Sequence, residues 1–162
     1  ELFYLSWCHG PAGTARLFYR LFESTGNDEW MKWVRMSARG ILESGIPEKR
    51  TPGFWNNLSQ CCGSAGVAEF FLGLHRLTRE PEYLAFARRV TEDVLARGTR
   101  DAAGLRFLQA ENRTEPDRLQ AQTGYMQGAS GIGLWLLRLQ AFDNGEKGQS
   151  AGYVLPDSPF PP

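Results

Sequence analysis

The chain contains three cysteines, and their positions indicate one shared site. Cys61 and Cys62 are adjacent, and Cys8 lies far upstream. Both segments run directly into a glycine-containing apolar stretch, which predicts that each thiol lies at the start of a helix. Zinc binds thiolate and imidazole tetrahedrally, and three protein ligands leave a fourth position for water or substrate. We therefore predict that Cys8, Cys61 and Cys62 hold Zn²⁺ in a catalytic type of site.

The two cysteine segments are copies of one pattern, in which two glycines three residues apart precede an apolar helix. Aligning the copies pairs Cys8 with Cys61, His9 with Cys62, Gly10 with Gly63 and Gly13 with Gly66. A third copy, at Gly128 and Gly131, has no thiol. The separations of the copies are typical of helical-hairpin repeats. The glycine spacing matches no phosphate-binding loop, so close packing of helices explains it better.

Each candidate residue also has a purely structural interpretation. Free cysteine is most often a small buried apolar residue, which would explain all three thiols without a metal. His9 could be a fourth ligand, a proton donor or a side chain that hydrogen-bonds a helix end. His75 fits a solvated or interfacial position, and Glu69 fits a buried ion pair or a water contact better than catalysis.

Helical periodicity locates the elements that must position these residues. The predicted helices cover 12–24, from Asn27 or Asp28 to the region before Gly45, 67–77, 81–97 and 128–142. The second helix should bury an apolar stripe that includes Trp33. The fourth, at 81–97, should bury Ala85 and Leu95 among others. The fifth, at 128–142, is apolar on nearly all sides. Between them, 99–123 predicts a short strand at Leu105–Leu108 and a polar loop. A loop at 47–57 should pack Phe54 and Trp55 over a helix end.

Composition excludes several classes of protein. The 162 residues are 42% hydrophobic, enough for one packed domain, and 18 basic residues balance 18 acidic ones. This balance gives no support for a nucleic-acid or membrane-surface partner. No apolar run is long enough for a membrane span. An odd number of cysteines, two of them adjacent, argues against a disulfide framework and favours a reducing, cytoplasmic setting.

Four motifs together resemble the lanthionine synthetase C-like family. They are Trp-Cys-His-Gly-Pro-Ala-Gly at 7–13, Cys-Cys-Gly-Ser-Ala-Gly at 61–66, Gly-Tyr-Met-Gln-Gly-Ala-Ser-Gly-Ile at 124–132 and Leu-Pro-Asp-Ser-Pro-Phe at 155–160. The resemblance implies an all-α fold, an α/α toroid of seven inner and seven outer helices with zinc at one end. Cys62 stands where the family more often has histidine, which resembles a variant with three cysteine ligands. The resemblance also favours proton transfer or substrate orientation as the role of His9.

The resemblance further implies the extent of the domain. Residues 1–162 would be the C-terminal part of the toroid, about three hairpins with short β segments between helices. Helices at the start would then expose apolar faces, and further active-site residues would come from upstream helices. Cyclisation is expected to need that upstream portion.

The activity that the resemblance implies is zinc-dependent thioether formation. A cysteine thiol of a precursor peptide, or a small thiol such as glutathione, would add to dehydroalanine or dehydrobutyrine. Three alternatives stay open: a zinc- and glutathione-binding protein without turnover, a carbohydrate-active toroid and a purely structural zinc site. The carbohydrate alternative lacks the paired carboxylates that it requires, because Glu69 is the sole acid near a glycine turn.

Overall fold

The computed structural model describes residues 4–50, 57–110, 115, 117–145 and 160. Within these ranges the chain forms five helices and a small sheet. The elements are α1 Pro11–Thr25, α2 Glu29–Leu42, α3 Ser64–Thr78, α4 Pro81–Ala96, β1 Gly98–Asp101, β2 Gly104–Ala110, β3 Leu119–Ala121 and α5 Ala129–Asp143. The helix predictions are confirmed, with ends that shift by a few residues. The 54–55 pair and nearly all of the 155–160 motif lie outside the described residues.

Helices α1, α3 and α5 begin in the same way. Gly10, Gly63 and Gly128 each precede the first helical residue in an extended conformation, and none has a side chain to cap the helix. Helix α1 also starts with Pro11, whose missing N–H would have no partner in a first turn. The repeat seen in the sequence is therefore a repeat of helix starts.

The helices pack as hairpins around α3. Helix α1 packs along α2, α3 packs along α4, and α3 also contacts α1 and α5. Eleven consecutive residues of α3, from Ser64 to Leu74, are buried, because neighbours cover it on several sides. Salt bridges join α2 to the start of α4, from Arg35 to Glu80, the residue before α4, and from Arg39 to Glu82. The arrangement is mostly helical and is consistent with part of an α/α toroid.

Some of the predicted core faces are wrong in detail. Helix α4 buries Val90 and Val94 as expected, but Ala85 and Leu95 are exposed. Trp33 of α2 remains 43% exposed although its ring lies 5.9 Å from that of Phe18. Leu137 of α5 is 51% exposed, so this helix is not buried all round.

The segment between α4 and α5 is a three-stranded antiparallel sheet in the order β1-β2-β3. Gly98 pairs with Phe107 at one edge, and Leu108 pairs with Ala121 at the other. The predicted strand at 105–108 is confirmed as part of β2, whereas the sequence predicts no strand at β1 or β3. Strand β2 buries only Phe107 and Gln109, so the sheet has one small inward face. None of the described helices is long and apolar enough to cross a membrane.

Candidate metal centre

Backbone hydrogen bonds join the three glycine turns into a row. The N–H of Cys8 donates to the carbonyl oxygen of Cys61 at 3.2 Å, and the N–H of Cys61 donates to the carbonyl oxygen of Met126 at 2.9 Å. These three residues hold the same position in the three copies, two residues before Gly10, Gly63 and Gly128. The helix starts therefore meet at one end of the molecule in a fixed register.

Each turn is compact because its second glycine lies against the backbone. A Cβ at Gly13, Gly66 or Gly131 would overlap the carbonyl oxygen of the residue six positions earlier. Only glycine allows such an approach. This contact folds the preceding residues back over the helix start and brings the cysteine side chains to that end.

The three thiols lie together at the joined turns. The Sγ atoms of Cys8 and Cys62 are 3.3 Å apart, and all three Sγ atoms lie within 4.8 Å of one another. A zinc ion with sulfur ligands at about 2.3 Å has them about 3.8 Å apart in a tetrahedron. The 3.3 Å separation of Cys8 and Cys62 and the 4.8 Å upper limit for all three pairs are compatible with that value, and thiolates suit zinc. The donor set and its spacing therefore fit a metal ion of this kind.

The thiols differ in acidity. Burial raises the pKa of Cys8, but contacts of its sulfur with Cys62, His9 and Ser6 outweigh burial and lower the pKa to about 7. Burial and the contacts with Cys62 and Cys8 raise the pKa of Cys61. Burial also raises the pKa of Cys62. Cys8 is therefore the most acidic of the three thiols.

His9 lies at the exposed side of the cluster. Its Nδ1 atom is 3.1 Å from the Sγ of Cys8, and its ring centroid lies 5.4 Å from that of Tyr4. The contact with Cys8 through Nδ1 leaves Nε2 on the other side of an exposed ring. The imidazole therefore contacts one thiol, that of Cys8, from the solvent side of the cluster.

Polar groups that the sequence motifs do not indicate surround Cys62. The side-chain Nε2 of Gln127 lies 3.5 Å from the Sγ of Cys62, and the hydroxyl of Ser59 accepts a hydrogen bond from the N–H of Cys62 at 3.2 Å. The third turn thus contributes to the site although it has no thiol. The sequence alignment of the three turns could have predicted this contribution, because Gln127 aligns with Cys62 and His9 in the repeat.

Behind the cluster, Glu69 forms a buried salt bridge with Arg138, which joins α3 to α5. Gln60 lies next to Cys61 in the chain, and its Nε2 donates to Glu69 at 2.9 Å and to the carbonyl oxygen of Gly131 at 3.2 Å. The prediction of a buried ion pair for Glu69 is confirmed. His75 is half-buried, with Nδ1 2.8 Å from the carbonyl oxygen of Glu80, away from the thiols.

Comparison with known proteins agrees with the motifs. A family model described as "Lanthionine synthetase C-like protein" matches residues 2–147. A curated relative, Glutathione S-transferase LANCL1 of Danio rerio, is 27% identical over 78 residues. That alignment covers 48% of this chain and 18% of the relative, so the chain matches about a fifth of the relative's length.

Proposed function

Because the chain belongs to the lanthionine synthetase C-like family, we propose that it forms the zinc site of an enzyme that adds a thiol to a dehydrated residue of a peptide. Cys8, Cys61 and Cys62 are the proposed ligands. The observation that supports the proposal most is the meeting of three sulfur atoms from two distant turns within 4.8 Å.

A zinc ion held there would lower the pKa of a substrate thiol and so supply a thiolate at neutral pH. Three cysteine ligands give the site a formal charge of −1, against 0 for two cysteines and a histidine. We infer that the third thiolate, Cys62, favours nucleophilicity of the substrate sulfur at some cost in Lewis acidity. The proposed product is a thioether, formed when the thiolate adds to the β-carbon of dehydroalanine or dehydrobutyrine.

His9 is the proposed proton donor or orienting group. Its Nδ1 contacts Cys8, so Nε2 of the exposed ring is the atom that can approach a substrate. Thiol addition leaves an enolate that needs one proton, and a positioned imidazole is a common general acid for such a step. The proposed role of His9 is to deliver it or to orient the substrate for its delivery.

The substrate thiol is either a cysteine of the same peptide or a small thiol such as glutathione. The name of the zebrafish relative supports glutathione as one candidate. A second function, zinc and glutathione binding without turnover, would use the same three thiols and would need no proton donor.

Metal analysis of single variants tests the ligand set. We expect about one zinc per chain in the wild type and loss of most of it in Cys8→Ala, Cys61→Ala and Cys62→Ala, because two remaining thiolates bind zinc much more weakly. His75→Ala is the matched control, since this histidine lies away from the cluster, and should keep its zinc. A wild-type chain that takes up no zinc would contradict the proposal.

Turnover separates the two functions. The zinc-loaded protein, with the upstream helices that the resemblance implies, is incubated with glutathione and a dehydrobutyrine-containing peptide, and the adduct is followed by mass spectrometry. An enzyme should form the adduct and lose about 100-fold or more of its rate in His9→Asn, which removes a proton donor. Glutathione binding without adduct would establish the binding function instead.

A further inference from the structure

The third glycine turn supplies a side chain that has no assigned role. Gln127 occupies the position that holds His9 in the first turn and Cys62 in the second. Each of these side chains contacts a sulfur atom of the cluster, and for Gln127 the contact runs from Nε2 to the Sγ of Cys62 at 3.5 Å. All three turns therefore contribute to the cluster through equivalent residues.

Neighbouring hydrogen bonds fix which end of the Gln127 amide faces the sulfur. The Ser59 hydroxyl accepts a hydrogen bond from the N–H of Cys62, so its own proton is available for the Oε1 of Gln127 at 3.1 Å. An oxygen that accepts from Ser59 leaves the NH₂ group to face Cys62. The amide is thus oriented as a donor to sulfur.

The small sheet holds this glutamine in place. Gln109 of β2 is buried, and its Nε2 donates to the backbone carbonyl oxygen of Gln127. Its Oε1 accepts from the N–H of Leu58 at 2.9 Å, one residue before Ser59. The buried side chain of Gln109 therefore bonds to both turns, to Leu58 in the second and to Gln127 in the third. These two bonds keep Ser59 and Gln127 next to each other.

We propose that Gln127 is a positioning residue of the metal centre, which donates an N–H···S hydrogen bond to the Cys62 thiolate and draws negative charge from that sulfur. This inference rests on the proposed zinc site. Three thiolates give the centre an excess negative charge, and hydrogen bonds to ligand sulfur tune the electron density of metal–thiolate centres. A histidine ligand in place of Cys62 would add no negative charge to the centre, whereas the Cys62 thiolate adds one. The hydrogen bond from Gln127 offsets part of that charge.

Cobalt(II) substitution tests this electronic role. The energy of the sulfur-to-cobalt charge-transfer band rises when a hydrogen bond withdraws charge from the sulfur. We expect Gln127→Leu to move this band to longer wavelength and to weaken zinc binding by about tenfold. Gln140→Leu is the matched control, because Gln140 is an exposed glutamine of α5, and it should leave the band and the affinity unchanged.

A second variant isolates the orientation of the amide. Ser59→Ala keeps Gln127 but removes the hydroxyl that fixes its Oε1, so the band should move in the same direction by a smaller amount. A band that stays at the wild-type wavelength in both variants would overturn the inference, even if affinity or melting temperature falls, because that result describes packing alone. A wild-type chain that gives no cobalt–thiolate band contradicts the proposed zinc site instead.

Discussion

At the scale of single residues, the candidate site combines thiols of unequal acidity. Contacts with its neighbours bring the pKa of Cys8 to about 7, whereas burial raises the pKa of Cys61 and of Cys62. A metal ion binds thiolates, so it must displace the protons that Cys61 and Cys62, with their raised pKa values, keep near neutral pH. Zinc binding and proton release are therefore coupled at this site.

We predict a steep pH dependence of zinc affinity. Protons compete with the metal, so affinity should rise with pH, by about 100-fold per unit from Cys61 and Cys62 together. Cys8 should add to this slope below about pH 7 and contribute little above it. Competition with a chromophoric chelator at pH 6, 7 and 8 measures the slope. Release of one proton or fewer per zinc at pH 7 would contradict the coupling.

The thiols could be predicted from the sequence, but their polar surroundings could not. Cysteine is rare in this chain and occurs only in aligned positions, so Cys8 and the Cys61–Cys62 pair stand out. Gln127 and Ser59 are common loop residues, and an amide becomes a donor to sulfur only through geometry. Alignment of the three turns could have pointed to Gln127. No feature of the sequence around Gln109 indicates that this strand residue holds two of the turns together.

At the scale of elements, the molecule depends on three similar glycine turns. In each of them a glycine at the third helical position lies against the carbonyl oxygen six residues earlier. This contact sets the angle between the incoming chain and the helix. For the second turn, the angle determines where Cys61 and Cys62 lie relative to Cys8.

We predict opposite effects of alanine at two helical glycines. In Gly66→Ala the new Cβ would overlap the Gln60 carbonyl oxygen, so the free energy of unfolding should fall by about 3 kcal/mol and zinc affinity should fall with it. In Gly40→Ala the new Cβ would meet nothing within 4 Å at an exposed position of α2, so stability should rise by about 1 kcal/mol. Urea denaturation measures both changes in the free energy of unfolding. Equal changes in the two variants would show that the contact of Gly66 with the Gln60 carbonyl oxygen does not require glycine.

Helices could be predicted from sequence more reliably than strands or exact faces. Strand β1 is polar and mostly exposed, so it has no alternation to detect, and β2 has only Phe107 and Gln109 facing inward. In α4 the face toward α3 runs through Val90 and Val94, and Leu95 lies about 100° round the helix from Val94, beyond that face. Periodicity finds such a helix but does not give the width of its covered side.

At the scale of the whole molecule, two layers of polar contacts tie the hairpins together. Backbone hydrogen bonds link the three turns at the thiol end, and the buried Glu69–Arg138 pair joins α3 to α5 further inside. The proposed metal ligands come from the first two turns, and the second turn is itself bonded to the third. Binding of a metal should therefore stabilise the folded chain as a unit.

We predict that zinc raises the melting temperature. At free zinc 100-fold above the dissociation constant, the free energy of unfolding should increase by about 2.7 kcal/mol. For a chain of this size that corresponds to a rise of about 5–10 °C. Thermal unfolding followed by circular dichroism, with zinc and with a chelator, measures the difference. Cys62→Ala should lose the zinc-dependent part, and an equal rise in this variant would place the bound metal elsewhere.

The backbone hydrogen bonds through Cys8, Cys61 and Met126 have a consequence for substitutions at these positions. These hydrogen bonds use only main-chain atoms, so the same joint forms whether the residue carries a thiol or a thioether side chain. A metal ligand at such a turn can therefore be added or removed by one substitution without breaking the hydrogen bonds that join the helix starts. The backbone therefore determines the packing at this end of the molecule, and the side chains determine whether a metal can bind there.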